Sequence, residues 1–170
     1  MKFSNNGIAE TLVKNLAIEA GESVGTWEAG VLEMRRRVID NGVPGTGFAL
    51  VDGSGLSYRD KASPRALVAA LRAARSSFTW GPEFVAALPI AARDGTLEDR
   101  ADGAQDQVRA KTGLLNRVTG LSGYATMGSA DGNAASERVM FSVLANHYQR
   151  SDEEAMDQLD RFVTVLTASK

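Results

Sequence analysis

Cysteine is missing from all 170 residues, which excludes disulfides, thiol nucleophiles and cysteine-based zinc sites together. Histidine occurs once, at His147, so any imidazole-dependent chemistry hangs on that one side chain. An excess of charge of one sign is also lacking. The 19 Lys plus Arg face 21 Asp plus Glu, a formal net charge of -2, and no broad basic field marks nucleic acid or an anionic membrane surface as a partner. No apolar run approaches the roughly 18 residues that a membrane-spanning helix needs, so no transmembrane segment is expected. The opening Met1-Lys2-Phe3-Ser4-Asn5-Asn6 turns polar at once and has no signal-peptide core. As written, the chain is either cytosolic or has its true N-terminus further upstream. What is present, 44% apolar and 24% charged residues, is the composition of one ordinary globular domain over 1–170.

Periodicity divides the chain into a helical first part and a stranded second part. Ile8, Leu12 and Leu16 recur at helical spacing behind the capping run Ser4 to Asn6. Trp27, Val31, Met34 and Val38 form a second stripe, with Thr26 as its cap and Asn41-Gly42 as its stop. The Arg35-Arg36-Arg37 run within it reads as a solvated face rather than a phosphate site. The Gly-rich stretch 42–62 surrounds Phe48 to Val51, an extended segment too short for a helix. Ser63-Pro64 opens a third helix carrying Leu67, Ala70, Leu71 and Ala74, and a short fourth one is expected from Pro82 until Pro89 ends it. From Gln107 the period becomes two. Val108 to Thr112, Val118 to Thr126 and Val139 to Ala145 predict an antiparallel meander, with a turn signal at Asp131-Gly132. Met156, Leu159, Val163 and Leu166, capped by Ser151, predict a last helix lying on that sheet.

Taken singly, the polar clusters have plain structural readings. Ser4-Asn5-Asn6 is a helix cap, Lys111-Thr112-Gly113 a strand end, and Asp52-Gly53-Ser54-Gly55-Leu56-Ser57 a turn that lacks the strand-to-helix setting of a phosphate loop. Asp94, Glu98, Asp99 and Asp102 are interspersed with arginines and read as a solvated loop rather than a metal site. His147 reads as a surface turn, and Trp27 and Trp80 as core or groove-lining residues. No metal or organic cofactor is implied.

The order of these clusters carries more than any one of them. A Ser-Xaa-Asn triplet heading a helix, a Lys-Thr-Gly triplet on a strand and a C-terminal antiparallel sheet under a last helix match two of the three elements of the penicillin-recognising serine enzymes. The wording around them is more specific. Lys2 to Glu10, Val51 to Ser57, Ser63 to Val68, Leu88 to Ala91 with Asp94-Gly95-Thr96-Leu97, and Arg109 to Asn116 resemble successive blocks of the D-alanyl-D-alanine carboxypeptidase/endopeptidase class of low-molecular-mass penicillin-binding proteins. The resemblance implies an α/β (α+β) chain with the serine β-lactamase/transpeptidase-like fold. It also implies acyl transfer by a serine, peptidoglycan stem peptides and β-lactams as ligands, and a periplasmic or cell-envelope location. Ser4 would help relay protons to the leaving D-Ala, and Asn6 would hold the peptide side of the substrate. Lys111 would place positive charge near the nucleophile and the substrate carboxylate. Thr112 would bond that carboxylate, with Gly113 beside it, and the backbone N–H of Leu114 would face the developing oxyanion.

Two departures qualify this. Leu114 stands where the family commonly has Thr, which keeps the backbone donor and loses a hydroxyl. No Ser in the chain has Lys three residues later. Thr11-Leu12-Val13-Lys14 and Thr167-Ala168-Ser169-Lys170 have the spacing with Thr, in the wrong places. The family's Ser-Xaa-Xaa-Lys nucleophile block lies well upstream of Ser-Xaa-Asn, so the expectation is the C-terminal portion of a longer enzyme, inactive alone, which binds its missing N-terminal half or self-associates. The rival expectation is a non-catalytic module that keeps the half-site as a peptide- or partner-binding surface.

Overall fold

The computed structural model describes residues 1–127 and 137–168. The expected turn at Asp131-Gly132 lies outside them. The chain forms two compact units, one of Asn5–Ala73 and one of Met1–Ser4 with Ala74–Lys170.

In the Asn5–Ala73 unit, α1 (Asn6–Glu19) starts where the Asn5 side chain accepts the Ile8 N–H at 2.9 Å. Helix α2 (Trp27–Asp40) starts where Thr26 accepts the Ala29 N–H at 3.2 Å, and it stops at Asn41 before Gly42, whose φ is +88°. The buried face of α1 is Val13 and Ala17. The stripe read from the sequence points elsewhere, with Ile8 60% and Leu12 59% exposed. Close helix packing explains the difference, because a Cβ at Gly30 of α2 would collide with the carbonyl of Val13. Small residues let these backbones meet, and the larger apolar side chains of α1 fall outside the contact.

Arg35 is not on a solvated face. It donates to the carbonyls of Gly45 (3.2 Å) and Phe48 (3.4 Å), with its guanidinium 5.3 Å from the Phe48 ring centre. Arg36 grips Glu33 with two 2.7 Å bonds and Arg37 adds a third. These two guanidiniums pull the Glu33 carboxyl down to about 2. Two short strands, β1 (Phe48–Ala49) and β2 (Lys61–Ala62), pair antiparallel. With α3 (Pro64–Ser76), capped by the Ser63 hydroxyl, they close a small core of Val43, Phe48 and Ala66.

The other unit begins its helical part with α4, which spans Gly81–Ala86 and so ends earlier than expected. Its sheet is β3 (Val108–Leu115), β4 (Val118–Met127) and β5 (Glu137–Asn146), in the order β3-β4-β5 and antiparallel throughout. The pairing sets Lys111 opposite Ser122 and Leu121 opposite Val143. Val108, Ala110, Leu121, Ala125 and Phe141 fill one face, against Leu159 and Val163 of α5 (Asp152–Ala168). Helix α5 opens with a reciprocal cap, in which Ser151 Oγ accepts the Glu154 N–H while the Glu154 carboxylate accepts the Ser151 N–H, each at 3.1 Å. The alternation of β3 therefore sends Val108 and Ala110 into the core and Arg109 and Lys111 to the opposite face.

Trp27 and Trp80 are each about half exposed rather than core. Lys14 Nζ lies 4.0 Å from the Trp27 ring centre, and Trp80 meets Phe84 edge-on.

Candidate active site

Lys111 sits on β3 with its ammonium sunk beside the strand, and burial lowers its proton affinity below that of an ordinary lysine. Its Nζ donates to Ser4 Oγ at 2.8 Å and to the Thr112 carbonyl at 2.6 Å. Two of its three N–H donors are thereby used. The partner at Ser4 is 107 residues away in sequence, so the fold and not the local chain makes this contact. Ser4 itself adopts φ +48°, a left-handed conformation uncommon outside glycine. It closes a turn by donating its N–H to the Met1 carbonyl at 3.3 Å. Non-glycine residues in this region are held there at a cost, and they concentrate at functional sites.

The rest of the Lys-Thr-Gly strand is anchored with equal economy. Thr112 Oγ1 donates to Thr96 Oγ1 at 2.8 Å, and the Gly113 carbonyl accepts from Thr119 Oγ1 at 3.1 Å. On the side of β3 away from β4, Ala91 donates to the Val108 carbonyl and Ala110 to the Pro89 carbonyl, each at 3.0 Å. Because N–H groups on a strand alternate sides, those of Thr112 and Leu114 face the same way as that of Ala110. Beyond Ala110 this edge has no further backbone partner among the described residues. Leu114 is half exposed and a Cβ at Gly113 would meet nothing within 4 Å, so the faces of the strand are open there as well.

Asn6 is the first residue of α1 and belongs to the Asn5–Ala73 unit, where it is exposed. The same unit holds a carboxylate the motifs did not single out. Glu10 accepts the backbone N–H groups of Ser54 (2.9 Å) and Gly53 (3.2 Å), and the Ser54 side chain first, then these two N–H groups, hold its carboxyl below its usual range against the opposing effect of burial.

Sequence reasoning did not single out Lys2, Asp94 and Thr96, which the structure links to the two motifs, Lys2 two residues before Ser4 and Thr96 bonded to Thr112. Lys2 forms an ion pair with Asp94, and Asp94 Oδ1 accepts the Ile90 N–H at 2.7 Å. Burial alone would raise the Asp94 carboxyl, but Lys2 and that N–H hold it below its usual range. Asp94 is therefore a structural anchor rather than one acid of a solvated loop. Its only signal in the sequence was its place in a block beside Lys-Thr-Gly. His147 does occupy a turn, at φ +55° with its N–H on the Arg117 carbonyl.

Residues 1–166 match the D-Ala-D-Ala carboxypeptidase 3 (S13) family. The chain belongs to that family. It is 40% identical over 131 residues to the D-alanyl-D-alanine carboxypeptidase of Actinomadura sp. strain R39, covering 73% of this chain and 24% of that protein. It is 29% identical to a penicillin-sensitive carboxypeptidase A of Dictyostelium discoideum, covering 96% of this chain and 32% of that one. The crystal structure of penicillin binding protein 4 from Haemophilus influenzae, complexed with a β-lactam, superposes with a TM-score of 0.78 at 29% identity, over 98% of this chain and 38% of its own. The α+β fold expected for this S13 chain is thus shown. The chain spans about a quarter to a third of the length of the curated relatives it matches. Among the described residues no helix is long and apolar enough to cross a membrane.

Proposed function

We propose that this chain carries the Ser-Xaa-Asn and Lys-Thr-Gly part of a serine-type D-Ala-D-Ala carboxypeptidase or endopeptidase acting on peptidoglycan stem peptides in the cell envelope. The chain is then the C-terminal portion of a penicillin-binding transpeptidase-like domain. A Ser-Xaa-Xaa-Lys segment, absent from these 170 residues, supplies the nucleophile. The observation that carries the reading is the 2.8 Å bond from Lys111 Nζ to Ser4 Oγ, which joins the two motifs through space.

The chemistry follows from donor and acceptor counting. Ser4 Oγ accepts a proton-rich partner in Lys111, which leaves its own hydrogen to donate, as a group that hands a proton to a departing amine must. Lys111 keeps one N–H beyond its two bonds, a positive charge for a substrate carboxylate. Partial desolvation strengthens that attraction relative to water. Thr112 gives the same carboxylate its hydroxyl hydrogen while its oxygen turns to accept from Thr96, so that the bond between the two hydroxyls is kept. The Leu114 N–H, fixed on an open strand edge, serves the oxyanion; removing such a donor costs about 10²–10³ in rate. Asn6 holds the peptide.

A fluorescent penicillin tests this. Alone, the chain is expected to remain unlabelled after denaturing electrophoresis. Added polypeptide bearing the Ser-Xaa-Xaa-Lys block is expected to become labelled only in the presence of this chain, and Lys111→Ala is expected to reduce that labelling at least 10²-fold. Binding of a stem peptide with no labelling under any combination would favour the non-catalytic module instead. Labelling of a Ser within this chain would overturn the assignment of the nucleophile.

A further inference from the structure

Lys2, Asp94, Gly95 and Thr96 are linked to the chain on both sides of the Ser4–Lys111 contact, Lys2 two residues before Ser4 and Thr96 bonded to Thr112 next to Lys111, without taking part in it. The turn that carries the last three is tied to β3 at both ends. At its start Pro89, Ile90 and Ala91 form the short antiparallel bridge to Val108, Arg109 and Ala110. At its end Thr96 Oγ1 accepts from Thr112 Oγ1 at 2.8 Å. The same turn grips Lys2 twice, by the ion pair from Asp94 and by the Thr96 N–H on the Lys2 carbonyl at 3.0 Å. Gly95 makes the second grip possible. Its φ is +60°, and a Cβ there would lie 2.5 Å from the Lys2 carbonyl oxygen.

The consequence is mechanical. Ser4 is two residues from Lys2 and in a left-handed conformation that its own sequence does not favour. Lys2 is held by side chain and backbone at once, so rotation about either grip alone is blocked. The turn holding Lys2 is itself registered on the strand that bears Lys111. We propose that Lys2, Asp94 and Thr96 are positioning residues, a brace that carries the register of β3 to Ser4 and so sets the Ser4–Lys111 distance. This rests on the functional reading only in giving that distance a catalytic purpose.

The test is NMR of this chain with isotope-labelled lysine, following the Lys111 ammonium titration and the nuclear Overhauser contact between Ser4 Hβ and Lys111 Hε. Lys2→Met and Thr96→Val are each expected to abolish that contact. Each is also expected to move the Lys111 titration up toward the ordinary lysine value of about 10.4, as the ammonium regains water. Lys2→Arg, which keeps the ion pair, is expected to preserve both. A merely structural role would shift stability and leave the Lys111 titration unmoved. If both variants keep their amide spectra, the contact and the wild-type titration, the brace is refuted. Thr96→Val is nearly isosteric and decides the matter alone should Lys2→Met lose its fold. These readouts need neither nucleophile nor substrate, so failure of penicillin labelling leaves them standing, and their failure leaves the labelling experiment intact.

Discussion

Among the described residues, Asp60 carries the one buried side-chain oxygen without a hydrogen-bond partner, its Oδ2, while Oδ1 accepts the Val51 N–H at 2.6 Å. Its neighbour is the Asp52 carboxyl, which already accepts the N–H groups of Gly55 (2.6 Å) and Ser57 (2.9 Å). Two ionised carboxylates cannot share that space cheaply, and a proton on Asp60 Oδ2 resolves both oddities by giving the orphan oxygen a bond to donate to Asp52. Burial, then Asp52, pushes the Asp60 carboxyl up against the pull of Val51. Asp52 goes the other way, because its N–H donors and Asp60 outweigh its own burial. The signs for stability follow. A raised Asp60 contributes fully below its unfolded value, near 3.9, and loses that contribution as pH rises through its folded value; a depressed Asp52 contributes above its unfolded value and loses it on acidification. Asp60→Asn supplies a permanent donor to Asp52 while keeping the acceptor for Val51. It is expected to raise the melting temperature at pH 7 relative to wild type and to flatten the decline in stability above pH 4. Asp60→Ala, which strands the Val51 N–H, is expected to lower stability by about 1–3 kcal/mol. A wild-type-like pH profile in the Asn variant, measured by thermal melts from pH 3 to 8, would remove the shared proton.

At the scale of elements, the sequence yields most where one physical rule dominates. The caps at Thr26, Ser63 and Ser151 are legible because a hydroxyl ahead of a helix has one obvious use. The meander is legible because Val108 to Thr112 alternates strictly between core and open face. The buried face of α1 is not, since a periodicity reading ranks side chains by apolar size while the packing selects small ones that allow Gly30 close to Val13. The site divides in the same way. Motif order singles out Ser4 and Lys111, which the fold joins at 2.8 Å, whereas the proposed Lys2 brace runs through a backbone carbonyl and a positive φ that composition does not reveal. Gly30 offers a direct test. Ala is the better helix former by about 1 kcal/mol, yet Gly30→Ala is expected to destabilise the chain by about 1–3 kcal/mol through overpacking against Val13. Leu12→Ala, on the exposed side of α1, is expected to change stability by about 0.5 kcal/mol or less. Denaturant midpoints of the two variants check the order, and a larger loss for Leu12→Ala would mean that the wrong face of α1 has been taken as buried.

For the molecule as a whole, the decisive feature is the outer edge of β5. The three-stranded sheet ends there, and the ten residues Glu137–Asn146 pair with β4 alone among the described residues. From Val139 to Ala145 this strand is apolar apart from Ser142 and contains neither proline nor charge to repel a second strand. Natural proteins blunt such edges or cover them. The Asn5–Ala73 unit adds Ile8 and Leu12, exposed one turn apart on α1, the kind of apolar surface that another polypeptide covers. Both features fit a chain whose sheet is completed and whose first helix is covered by the nucleophile-bearing partner proposed above. Left alone, it is expected to self-associate, with an apparent mass in sedimentation velocity that rises with concentration. Met140→Lys places a charge in the middle of the β5 edge and is expected to shift the chain toward monomer without unfolding it. Ile8→Lys with Leu12→Lys separates the two surfaces, since it removes the α1 patch and leaves the edge in place. If the unsubstituted chain sediments as a monomer at every concentration, neither surface drives association and the independent binding module gains the advantage. If only the α1 substitutions abolish association, the helix rather than the strand edge is where the second polypeptide docks.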